Sequence, residues 1–115
     1  MIRRKDEVEI KINENMRGGD GRVKMESLLS VAEMYEKGRL YSRVTLEPGC
    51  SVGYHVHEGE MEAYFILSGK AEYDDNGERT TLTAGDLTYT LDGSGHAIRN
   101  IGDETLQFMA LILYS

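Results

Sequence analysis

The chain has 115 residues, 40% of them hydrophobic, which is enough for one domain with its own core. Its net charge of −7 works against nucleic-acid binding, which rests on Lys and Arg neutralising phosphate, and is read as a source of solubility. A single cysteine, Cys50, excludes an internal disulfide and fits a reducing, cytoplasmic setting.

Residues 1–7 are charged and have no apolar h-region behind them, so they do not read as a signal peptide. No apolar run approaches membrane-spanning length, and no membrane partner is expected. A weak strand is predicted over 9–13. Gly18-Gly19-Asp20-Gly21 reads as a plain turn, because the phosphate-loop pattern GxxxxGK[ST] and the helix that should follow it are missing. Residues 25–37 mix helix and strand tendencies, and Ser30 is placed to cap a short helix through Lys37, with Gly38 as its stop.

Beyond that point the strands are clearer. Residues 40–46 form one, ended by Glu47-Pro48-Gly49, and 51–57 the next, closed by Glu58-Gly59-Glu60. Residues 61–67 follow, ended by Ser68-Gly69. Strands over 70–73 and 79–82 flank Asp74-Asp75-Asn76-Gly77, a strong hairpin signal. Strands at 87–91, 96–100 and 106–114 complete the set. Many short strands joined by Gly-rich turns argue an all-β sandwich or barrel. No internal repeat and no linker is visible, so a second domain is not expected.

The chemistry concentrates in the histidines. His55 and His57 are two residues apart, and only a strand presents such a pair on one face. His55 and His57 then face inward with Ser51 and Gly53, Glu62 with Tyr64 and Ile66, and His96 with Ile98 and Asn100. Three imidazoles and a carboxylate are metal-ligand types. Glu58 and Glu60 lie in the turn between strands and read as solvated, although Glu60 shares the parity of Glu62. Cys50, beside a glycine and with no adjacent His, reads as an inert thiol. Tyr41 and Arg43 share a strand face that could line a pocket, where an Arg could hold a substrate carboxylate. Together with Tyr64 they are the candidate catalytic residues.

These residues also stand in a known pattern. Gly49, His55, His57, Glu62 and Gly69 resemble the first cupin motif, and Gly85, Asp92-Gly93, His96 and Asn100 resemble the second. The family usually has Pro where this chain has Leu91. The resemblance implies a double-stranded β-helix (a jelly-roll barrel) over 40–115, with 1–39 adding strands and a short helix against it. It also implies a homodimer. In the family the residues matching His55, His57, Glu62 and His96 bind one divalent transition metal, and Mn, Fe, Ni, Co, Cu and Zn all suit this donor set.

An open, positively charged metal site attracts a small anionic molecule. One expectation is a metal-dependent enzyme on a small carboxylate or sugar-like substrate, of the decarboxylase, dioxygenase or isomerase type. The alternative is a cupin that binds or senses a small ligand without turnover. Oxalate decarboxylases resemble the chain, but their reaction uses an Arg three residues before the first motif His, where this chain has Val52.

Overall fold

The computed structural model describes every residue from Met1 to Ser115. Ten strands follow in chain order: β1 (Glu9–Glu14), β2 (Arg22–Ser27), β3 (Gly38–Leu46), β4 (Ser51–Val56), β5 (Glu60–Ser68), β6 (Lys70–Asp75), β7 (Glu78–Thr83), β8 (Leu87–Thr90), β9 (Gly95–Asn100) and β10 (Leu106–Tyr114). They form two antiparallel sheets, a six-stranded one in the order β1-β2-β3-β10-β5-β8 and a four-stranded one in the order β4-β9-β6-β7. The chain moves back and forth between the two sheets, as the expected jelly roll requires. No helix is long and apolar enough to cross a membrane.

Period-2 alternation builds the core. On β10, Leu106, Phe108, Ala110 and Ile112 are buried while Gln107, Met109 and Leu111 are only partly so. Tyr64 and Ile66 of β5 lie on the same inner face and meet Val52, Ala71, Tyr73 and Ile98 from the other sheet. Phe108 has no exposed surface, and truncating it to Ala would cost about 3–5 kcal/mol. Asn76 and Gly77 both take left-handed backbone angles (φ 52° and 101°) and close the β6–β7 hairpin as the two-residue turn that their sequence favours.

The structure departs from expectation between β1 and β3. β2 pairs with β1 from Arg22 and with β3 from Lys24, both ahead of the stretch whose mixed pattern was visible. Ser30 does cap. Its Oγ accepts the Glu33 N–H at 3.1 Å, and the Glu33 carboxylate accepts the Ser30 N–H at 2.9 Å. No helix grows from this cap. Residues 31–36 form successive turns, and Tyr35 and Glu36 turn left-handed (φ 53° and 58°). Of residues 31–37 only Met34 is half-buried, so a helix here would have no apolar face to pack, and a short unpacked helix is unstable in water. Gly38 therefore opens β3 instead of ending a helix.

The β1–β2 connection folds onto β4. A tight turn at Met16–Gly18, with Asn15 and Arg17 left-handed, lies against the backbone around Gly53. A side chain on Gly53 would collide with the Arg17 carbonyl, and one on Gly19 with the Ser51 carbonyl. Two short bonds pin the approach, Asp20 N–H to Ser51 Oγ and Ser51 N–H to the Asp20 carbonyl, each 2.8 Å.

Candidate metal centre

Three strands deliver three of the donors, and His57 follows directly on the end of β4, which stops one residue short of the expected strand over 51–57. His55 on β4 stands directly opposite His96 on β9, and β5 brings Glu62 from the facing sheet. His96 Nε2 lies 3.0 Å from His57 Nε2 and 3.2 Å from His55 Nε2. Glu62 Oε1 is 2.9 Å from both His57 Nε2 and His96 Nε2, and 4.0 Å from His55 Nε2. His57, Glu62 and His96 are buried, and His55 is half-buried.

The other ring nitrogens are fixed from outside the cluster. His55 Nδ1 faces the Gly53 carbonyl at 2.8 Å, and His57 Nδ1 faces Glu60 Oε2 at 2.6 Å. Both partners can only accept, so each Nδ1 donates and each neutral ring turns a bare Nε2 to the centre. His96 Nδ1 sits between the hydroxyls of Tyr73 (2.7 Å) and Thr90 (3.0 Å), and Tyr64 stacks on the His96 ring at 4.8 Å between centroids. Outer partners of this kind orient imidazole ligands and raise their basicity.

Bare nitrogen lone pairs and a carboxylate, about 3 Å apart in a buried place, repel one another unless a cation lies among them. The separations suit one. With metal–ligand bonds of about 2.0–2.2 Å, adjacent ligands of a six-coordinate ion lie about 3 Å apart and opposite ones about 4.2 Å apart. The four residues form a group that could hold a metal ion. Burial pushes the Glu62 carboxyl upward, but in the metal-free site imidazoles that take up a proton on Nε2 outweigh that and hold it far below the usual carboxylate range. The Glu62 hydrogen bond raises the His57 pKa against the opposing effect of burial, whereas burial lowers that of His96. A cation at this place would compete with the proton for these same Nε2 atoms.

Beside the donors lies a cavity of about 60 Å³, space for a few water-sized groups. Its walls are mostly apolar, including Met16, Leu40, Val44 and Phe108. Its polar lining is Arg17, Arg39, His55, His57 and Glu62, with the Tyr64 ring completing the wall. Tyr64 is thus at the site. Its hydroxyl is pushed well above its ordinary value by burial and by the Glu62 charge. Tyr41 and Arg43 do not line this cavity. Arg43 grips Glu26 instead, Nε to Oε1 at 3.0 Å and Nη2 to Oε2 at 2.7 Å. Cys50 is free and half-buried against the core.

Glu60 corrects the reading of the turn. Glu58 is exposed as expected, but Glu60 begins β5 and is buried. It holds His57 with Oε2 and takes both prongs of Arg39, Nε at 2.7 Å and Nη2 at 2.8 Å. The Arg39 hydrogen bond holds the Glu60 carboxyl below its usual range, against burial and with the help of His57. The shared parity of Glu60 and Glu62 was the signal that could have found it. Arg39 had no such signal. Ile112 of β10 pairs with Leu40 and Leu113 with Gly38, so Arg39 is the extra residue of a bulge, a feature that re-aims a side chain.

Comparison with known proteins adds the family. A family model for the cupin domain (cupin_2) matches residues 42–112. An oxalate-binding protein of Thermotoga maritima is 45% identical over 113 residues, spanning 98% of this chain and 93% of the relative. A crystal structure from the same organism, described as a predicted oxalate decarboxylase, superposes with a TM-score of 0.96 at 44% identity and covers all of both chains. Oxalate decarboxylase of Bacillus subtilis is 37% identical over 73 residues, which are 59% of this chain and 19% of that protein.

Proposed function

Because the chain belongs to the cupin family, we propose that it holds one divalent transition metal on His55, His57, Glu62 and His96 and captures a small carboxylate anion beside it. The observation that carries this reading is the donor set itself: three converging Nε2 atoms and a buried carboxylate facing an open cavity. A metal in that position supplies a Lewis-acidic centre with free positions for an anionic oxygen. The 45% identity to a protein named for oxalate binding supports a carboxylate as the ligand class.

Binding is favoured over turnover by what the cavity lacks. Apart from Glu62 no carboxylate lines it, and Glu60 is already engaged by His57 and Arg39. Tyr64, buried and held well above its ordinary pKa, stays neutral and is a poor base at neutral pH. Val52 lines the cavity where the decarboxylation reaction of the family places an Arg. A second reading, metal-dependent turnover of the decarboxylase, dioxygenase or isomerase type, draws on the 37% identity to oxalate decarboxylase.

The test is metal analysis of the purified protein followed by calorimetric titration with oxalate. Bound metal near one per chain and metal-dependent heat of binding are expected. Metal-free protein that refuses added Mn²⁺, Fe²⁺, Ni²⁺, Co²⁺, Cu²⁺ and Zn²⁺ would sink the reading. Steady release of formate or CO₂ from oxalate would replace capture with turnover.

A homodimer belongs to the same proposal. On the outer face of the six-stranded sheet, cross-strand partners Phe65 and Leu87 are exposed, with Tyr89 and Leu67 nearby. Sedimentation at micromolar concentration should give twice the chain mass.

A further inference from the structure

Arg17 is the one cation on the cavity wall with no partner. Its side chain makes no ion pair and no hydrogen bond, whereas Arg39, the other arginine there, is committed on both prongs to Glu60. Elsewhere on the chain Arg3, Arg22, Arg43, Arg79 and Arg99 each face a carboxylate.

The backbone holds Arg17 at this place with some rigidity. It is left-handed (φ 55°, ψ 30°), an uncommon state for a residue with a side chain, and such a state persists only where surroundings enforce it. The surroundings are the bare backbones of Gly19 and Gly53, which allow the turn to lie directly on β4. The Asn15 amide donates to the Gly19 carbonyl at 3.1 Å and closes the turn from the other side.

We propose that Arg17 binds the far carboxylate of a short dicarboxylate whose near carboxylate occupies the metal, so that the site selects dianions over monoanions. This rests on the reading of the site as a metal-dependent carboxylate receptor. The charges match. Glu62 cancels one of the two charges of a divalent ion, the Glu60–Arg39 pair is neutral, and Arg17 restores a second positive charge. A dianion neutralises the site, while a monoanion leaves Arg17 unmatched. A guanidinium also suits a carboxylate end by its two-pronged geometry. The size agrees as well. A cavity of about 60 Å³ with mostly apolar walls suits a compact ligand.

Isothermal titration of metal-loaded full-length protein tests this, with oxalate and malonate as dianions and acetate and glycolate as monoanions. Arg17→Asn removes the guanidinium and keeps a residue that adopts the left-handed state readily. It should weaken oxalate and malonate by about tenfold or more, leave acetate within about twofold, and leave metal content as in the wild type. Arg17→Lys should recover part of the dianion affinity. Equal loss for dianions and monoanions, or no loss for either, overturns the role of Arg17. Wild-type protein that holds metal and binds none of the four acids removes the carboxylate reading beneath it, and the proposal with it.

Discussion

Arg39 and Arg43 stand on the same strand and grip a glutamate in the same way, each through Nε and Nη2 at 2.7–3.0 Å. Their consequences differ. Arg43 and Glu26 pair across neighbouring strands β3 and β2, away from the metal donors. Arg39, which lines the cavity, reaches Glu60, and Glu60 in turn holds the Nδ1 of His57. The same ion pair is thus a brace in one place and a support for a candidate metal ligand in the other. A bulge of one residue separates the two outcomes, so an ion pair on this strand has to be judged by what its carboxylate touches next.

The ligands themselves give the largest expected effect. His55→Ala or His96→Ala should reduce bound metal to below about a tenth of wild type, more than any change to a supporting residue. Unchanged stoichiometry in the purified variants would mean the donor set is wrong. The comparison itself is sharpened by Glu60→Gln against Glu26→Gln. Loss of the Glu60 charge should weaken metal affinity by about 10–100-fold, while Glu26→Gln leaves it unchanged. Equal metal affinity in the two variants, measured by competition with a chelator, would erase the distinction between the pairs.

The outer pair should register in stability alone. Glu26→Gln is expected to cost about 1 kcal/mol at neutral pH, read from the urea midpoint, since Arg43 is partly exposed and solvent screens the pair. Arg43, by its hydrogen bond, holds the Glu26 carboxyl below its ordinary 4.5, with burial opposing. A lowered folded pKa contributes stability above the unfolded value, and that stability is lost as pH falls through the folded one. The gap between wild type and Glu26→Gln should therefore close as the pH drops below about 4.5. A gap that widens in acid contradicts this. The smallest effect is expected at Glu58, whose exposed carboxylate makes no contact with the donors. Glu58→Gln should leave metal content intact, and a large loss would mean that the wrong carboxylate has been assigned.

Much of the barrel was open to reading because its signals are local. Alternation along β5, β9 and β10 marks inward residues without knowledge of partners, and the Asn76–Gly77 turn announces its hairpin by backbone preference. On β4 a register shift between Val52 and His55 breaks the alternation, so that Val52 joins the core in place of the expected Ser51 and Gly53. The predicted helix after Ser30 failed for the opposite reason. Its cap is local and is present, but a helix of that length needs a surface to pack on, and none is there.

His55, His57, Glu62 and His96 were identifiable from the sequence by itself, because strand parity and glycine spacing are properties of short segments. The convergence of their donor atoms, the burial of Glu60 and its hold on His57, the bulge that turns Arg39 toward Glu60, and the unpaired Arg17 on the cavity wall were decided by the tertiary structure alone. Each depends on contacts between strands distant along the chain. Register, bulges and backbone approach are set by how the whole barrel closes, and no short stretch of residues encodes them separately.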